Sequence, residues 1–107
     1  MPKHVLTEGA WEVVVRDAML PGTRVVFGPG GHPTMPDRQT WRWEVTWTGD
    51  GRPRSVDRGS SSHLGTATAR VAQAIDTEME NRRHRGEATA TEAAAAARLK
   101  ERLRALR

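Results

Sequence analysis

The sequence predicts an α+β fold: an antiparallel sheet of three or four strands, one helix packed over the tryptophan face of that sheet, and a C-terminal Ala-rich basic helix. Residues 41–48 alternate large apolar and polar side chains, which is the period of a half-buried strand. Residues 64–79 repeat apolar side chains every three or four positions, as amphipathic helices do. Since three of the four tryptophans lie on the 41–48 strand, we expect the core of this 107-residue chain there.

Several stretches are expected to form the sheet. Residues 3–7 suit a short edge strand or a loose arm, and residues 10–16 contain a β-branched run that favours a strand. Pro21-Gly22 is typical of a type II turn, which predicts an antiparallel hairpin between residues 10–16 and 23–27. The Gly- and Pro-rich residues 28–37 should form an exposed loop.

A tight turn and an edge strand should follow the tryptophan strand. Gly49-Asp50-Gly51 supplies the positive φ values that such a hairpin turn needs. Residues 52–58 then contain proline and several arginines, which suit a sheet edge.

Two helices are predicted in the second half of the chain. Residues 59–62 should end the sheet and provide hydroxyl N-caps for a helix from residue 63 or 64 to about 85, which Gly86 terminates. Thr89 and Glu92 have capping-box spacing and should begin the second helix. The chain is therefore expected to comprise a sheet-plus-helix domain at 1–86 and a helical appendage at 87–107. Whether this appendage packs on the domain stays open.

The residue types present argue against catalysis. No cysteine is available for a disulfide, a thiolate metal site or a nucleophile. The four histidines are scattered without metal-ligand spacing, and Ser60 to Ser62 beside His63 lack the surroundings of a nucleophile elbow. We therefore expect a non-enzymatic protein without cofactor, metal or identified small-molecule substrate. No apolar run is long enough to span a membrane and no signal peptide is evident, so a cytoplasmic location is expected.

Positive charge is concentrated in the second half of the chain. Residues 1–51 carry a net charge of about −1, and residues 52–107 about +5. The polar face of the sheet should carry Arg16, Arg24 and Arg42 besides the arginines of the last strand. A polar, arginine-bearing sheet backed by a helix is one structure that enters the major groove of DNA. An ordinary solvated face is the alternative, since Glu12 and Glu44 share it.

The tryptophans admit a second interpretation. Alternating aromatics can stack on the bases of single-stranded nucleic acid. The matching apolar stripe of the helix favours a core instead.

A known family has a similar order of features. The features are, in order, Trp43 to Trp47, the Gly49-Asp50-Gly51 turn, the basic residues 52–55, a Ser-rich link and the helix at 64–79. This order resembles the three-stranded arm-type DNA-binding domain at the N-terminus of tyrosine integrases. The resemblance covers about residues 39–80, but the link lacks the expected aromatic and no recombinase catalytic domain follows. It implies a stand-alone accessory protein of phage or mobile-element type that contacts double-stranded DNA. The implied contact residues are Arg42, Arg52, Arg54 and Arg58.

Two functions remain in competition. The first is a nucleic-acid-binding accessory protein, with DNA and RNA both open as partners. The second is a protein interaction or assembly module that forms a homodimer through the C-terminal helix or a sheet edge. Arginines clustered on one surface would favour the first function, and acids interspersed among them would favour the second.

Overall fold

The described residues fold into an antiparallel four-stranded sheet followed by two helices. The structure, a computed structural model, describes residues 3–20 and 38–106, and of Leu20 only the backbone. Neighbouring strands follow sequence order, β1-β2-β3-β4. The predicted α+β class with an antiparallel sheet and a C-terminal helix is confirmed. The elements are β1 (Lys3–Glu8), β2 (Trp11–Leu20), β3 (Arg38–Trp47), β4 (Arg54–Ser61), α1 (Leu64–His84) and α2 (Ala90–Arg104).

Both edges of β2 are occupied by other strands. Residues 11–16 pair with β1 on one side, and all of β2 pairs with β3 on the other. The predicted pairing of residues 10–16 with a strand at 23–27 is therefore wrong, because neither edge of that stretch is free. The expected strand at 23–27, the Pro21-Gly22 turn, the 28–37 loop and Arg24 lie outside the described residues.

The core lies on the tryptophan face, as predicted. Trp43, Val45 and Trp47 of β3 are buried there. In register with them on β2 are Val15, Val13 and Trp11, whose side chains are fully buried. The rings of Trp11 and Trp47 meet edge to face with centroids 4.9 Å apart, a favoured aromatic geometry. The stripe of α1 covers this face with Val71, Ile75 and Met79.

The two helices begin differently. The expected serine N-cap of α1 is wrong: residues 59–61 complete β4, and the N-cap residue His63 makes no side-chain cap bond. The predicted cap of α2 is confirmed, since the Thr89 hydroxyl accepts a 3.1 Å bond from the backbone N–H of Glu92. Gly86, at φ +70°, adopts the left-handed conformation expected just past the end of α1.

The second helix packs on the rest of the protein. Its Ala95, Ala96, Leu99 and Leu103 belong to the same buried cluster as the sheet and α1. Along β1, Arg102 donates a 3.1 Å bond to the carbonyl oxygen of Thr7. Residues 90–103 thus share the common core, whereas the predicted domain boundary at residue 86 stays a prediction. Neither described helix is both long and apolar enough to cross a bilayer.

Candidate nucleic-acid interface

Neither of the helices in residues 3–20 and 38–106 packs on the face of the sheet opposite the tryptophans, and we call it the outer face. Its side chains form rows that run across the strands, since antiparallel partners project to the same side. Strand neighbours are about 4.8 Å apart and successive rows about 7 Å apart. The first row is Lys3, Arg16, Arg42 and Ser60; the second is Val5, Val14, Glu44 and Arg58; the third is Thr7, Glu12, Thr46 and Ser55.

Four cations converge on this face. Lys3, Arg16, Arg42 and Arg58, here called the cationic cluster, are all exposed and line an open depression of about 630 Å³. Ser60 and Glu44 line the same depression. Within residues 3–20 and 38–106, no acid lies close enough to any of the four to form an ion pair. The depression therefore presents positive charge that an external anion can neutralise.

Unlike the cations of the cationic cluster, each cation of α2 forms an ion pair with an acid. Arg98 and Arg102 both reach Glu8 on β1, at 3.0 and 3.3 Å. Lys100 contacts Asp76 of α1 at 2.7 Å, and Arg104 contacts Glu101 at 2.7 Å. The hydrogen bond from Arg98 is the largest of the effects that hold the pKa of Glu8 below its ordinary value of about 4.5. Three of the four cations of this helix thus connect it to β1 or to α1.

A β-bulge separates the arginines of β4. Val45 of β3 is opposite Asp57, but the next residue, Thr46, is opposite Ser55, so Val56 is an extra residue in the ladder. Because of this extra residue, Arg58 and Arg54 lie on opposite faces of the sheet. Arg58 lies on the outer face beside Glu44. Arg54 is opposite Trp47 on the core face and forms a 2.5 Å ion pair with Glu78 of α1.

The four residues implied by the integrase resemblance therefore do not form one surface. Arg42 and Arg58 belong to the cationic cluster, whereas Arg54 joins β4 to α1. Arg52 is exposed in the turn before β4. Sequence reasoning assigned Arg16 to this face without naming it a contact, and it missed Lys3. The available signal was the alternation in β1, which puts Lys3 on the same side as Val5 and Thr7.

Three of the four tryptophans do not offer a stacking platform. Trp11, Trp43 and Trp47 are at most 9% exposed, and the indole N–H of Trp43 donates a 3.1 Å bond to Asp57. Arg82 lies 4.2 Å above the Trp47 ring and binds Glu92 through two hydrogen bonds of 3.0 and 3.1 Å. These indoles belong to the core and to the contact between the helices.

Two acids lie on the described part of the outer face, one among the cations and one away from them. Glu44 borders the depression, and Glu12 lies in the third row, outside it. Among the described residues, no three His, Asp or Glu side chains come together as a metal site would require. The face is thus predominantly cationic at the end that contains the first row.

The free edge of β4 is a second distinct feature. In the described part of the chain, β4 pairs only with β3, whereas Arg102 of α2 reaches the β1 backbone. Two depressions of about 370 and 380 Å³ separate β4 from α1, and Asp57 and Arg70 line both. This edge keeps unpaired backbone groups near a groove, as strands that accept a partner strand do.

Comparisons with protein-family models, with curated proteins and with solved structures found no match. The function is therefore argued from the geometry of the outer face.

Proposed function

We propose that this chain is a small non-enzymatic protein that binds double-stranded DNA through the outer face of its sheet. The observation that carries the proposal is the contrast in charge pairing. The four cations of the cationic cluster have no acidic partner among the described residues, whereas every cation of α2 has one. Exposed cations gathered on one face without partners match the surface of a protein that neutralises phosphates.

The shape of the outer face fits the same partner. A two-stranded ribbon is narrow enough for the major groove of B-DNA, and some DNA-binding sheets also place strands there. Beyond Trp41, which pairs with both neighbouring strands, β2 and β3 continue as a ribbon from Ala18–Thr40 to Leu20–Arg38 that no other described strand flanks. Arg38 precedes Arg42 by four residues on β3 and therefore lies on the same face of the strand. It extends the cationic side of the sheet along the ribbon. The resemblance to integrase arm-type domains stays a prediction that agrees with this mode of binding.

The experiment is a fluorescence titration with generic duplex DNA at low and moderate salt. Micromolar binding that weakens steeply with salt is expected for phosphate contacts. The double variant Arg42→Gln, Arg58→Gln should lose most of this binding. Its matched control is Arg83→Gln, Arg104→Gln, which removes the same charge from exposed helix positions that pair locally with Glu80 and Glu101. Equal loss of binding in both double variants, or no binding at low salt, would refute the proposal.

The competing function, an assembly module, retains one supporting observation. Dimerisation through α2 is disfavoured, because the apolar stripe of that helix is already buried in the core. The free edge of β4 favours pairing with a strand of another molecule. Light scattering coupled to size exclusion tests this: a concentration-dependent dimer that Val56→Pro abolishes would support the module, and a monomer at all concentrations would refute self-assembly. The cytoplasmic location expected from the sequence stays a prediction.

A further inference from the structure

We infer that Glu44 is a specificity-determining residue that accepts a hydrogen bond from the amino group of cytosine in the major groove. This inference rests on the proposed function, since it assigns roles within the same outer face. It goes further by naming which row meets the phosphates, which row meets the bases, and which base is preferred.

The first two rows of the outer face differ in chemistry. Of the first row, Lys3, Arg16 and Arg42 are cations on three adjacent strands, and Ser60 adds a neutral hydroxyl. These are side chains that bind phosphate oxygens. The second row contains two valines and one carboxylate, and it ends on β4 with Arg58, which lines the same depression as the first-row cations and is counted with them as a phosphate contact. Apolar groups and a hydrogen-bond acceptor are among the groups that distinguish base edges.

Glu44 lies in the middle of this second row. It is exposed, and in register it stands between Val14 on β2 and Arg58 on β4. Although Arg58 is its direct neighbour across the strands, the two side chains form no ion pair, and no other described cation pairs with Glu44. The carboxylate is therefore available to a ligand in the depression.

A free carboxylate in a DNA-binding face restricts where the phosphates can lie. Phosphates close to Glu44 would be repelled, so the phosphate track is favoured over the first row, about 7 Å away along the strands. The valines and Glu44 of the second row then lie over the groove. There a carboxylate needs a donor, and the N4 amino group of cytosine is the donor that Glu and Asp recognise in the major groove.

The test compares two duplexes of equal length, one with alternating G·C pairs and one with alternating A·T pairs, at the same low salt. The wild-type protein should bind the G·C duplex more tightly, by about fivefold for one good contact. Glu44→Gln should abolish or invert this preference, because a glutamine amide suits adenine. Glu12→Gln is the matched control: it removes the same charge from an exposed residue of the same face, in the third row. It should leave the preference unchanged.

The possible failures are distinguishable. Equal affinity of the wild-type protein for both duplexes would overturn the inference while leaving the proposed function intact. The inference would also fail if Glu44→Gln raised affinity for both duplexes by the same factor, since the carboxylate would then act only by repulsion. Absence of binding to either duplex would overturn the inference together with the proposed function.

Discussion

Arg54 and Arg58 are four residues apart on one strand, yet we expect their replacement by glutamine to have opposite effects. Arg58 belongs to the unpaired cationic cluster, and Arg54 is held against Glu78 on the helix side of the sheet. Arg58→Gln should therefore weaken DNA binding and reduce its salt dependence. Arg54→Gln should leave the salt dependence unchanged and lower the stability of the fold by about 1 kcal/mol, since Arg54 is 45% exposed.

The size of the effect follows from the number of phosphates neutralised. If each of the four cations of the cluster neutralises one phosphate, the logarithm of the binding constant falls against the logarithm of salt with a slope of about −3.6. A rise from about 50 to 200 mM salt then weakens binding about 150-fold. Removing one contact changes the slope to about −2.7 and the loss over the same range to about 40-fold.

Fluorescence anisotropy of a labelled duplex at four or five salt concentrations measures these slopes, and urea unfolding followed by tryptophan fluorescence measures stability. Arg58→Gln with an unchanged slope would refute the contact between the outer face and phosphate. Arg54→Gln with a slope reduced as much as that of Arg58→Gln would refute the separation of the two arginines by the bulge.

Three further predictions concern the fold. Arg82→Met should destabilise the protein by about 3 kcal/mol in urea unfolding, because it leaves a largely buried carboxylate without its cation; a loss below about 1 kcal/mol would contradict this. Gly59→Ala should cost about 1–3 kcal/mol, since its β-carbon would lie 2.5 Å from the Trp43 ring; Gly65→Ala, whose β-carbon would meet nothing within 4 Å beyond its own turn of helix, is the control and should not destabilise. Because the folded-state pKa of Glu8 is lowered, its stabilising contribution is present above about pH 4.5 and is lost as the pH falls through the folded-state value. Glu8→Gln should therefore lose less stability than wild type between pH 7 and pH 3, and an equal loss in both proteins would contradict this.

The sequence predicted those parts of the fold that depend on a local period. Alternation located the buried face of β3, the three-four spacing located the stripe of α1, and Thr89 with Glu92 located the start of α2. In each case the side chains that determine the structure are near neighbours along the chain, so the local sequence pattern is sufficient to predict it.

What the sequence did not predict depends on pairing between distant segments. The Pro21-Gly22 turn suggested a local hairpin, but residues 11–16 pair with β1 and β3 instead. The bulge at Val56 was also missed, because a period of two assigns Arg54 and Arg58 to one face unless an extra residue is recognised. The candidate site was therefore predicted in part: Arg42 and Arg58 share the depression, and Arg54 does not.

The neutralised cations of α2 have a consequence for the kinetics of encounter. Arg98 and Arg102 share Glu8, and Lys100 and Arg104 lie against Asp76 and Glu101, so most of the charge of α2 is balanced within a few ångströms. The cationic cluster has no such partner among the described residues, so its charge adds to the positive potential over the outer face. That potential raises the fraction of encounters with a polyanion that begin with the sheet facing the partner.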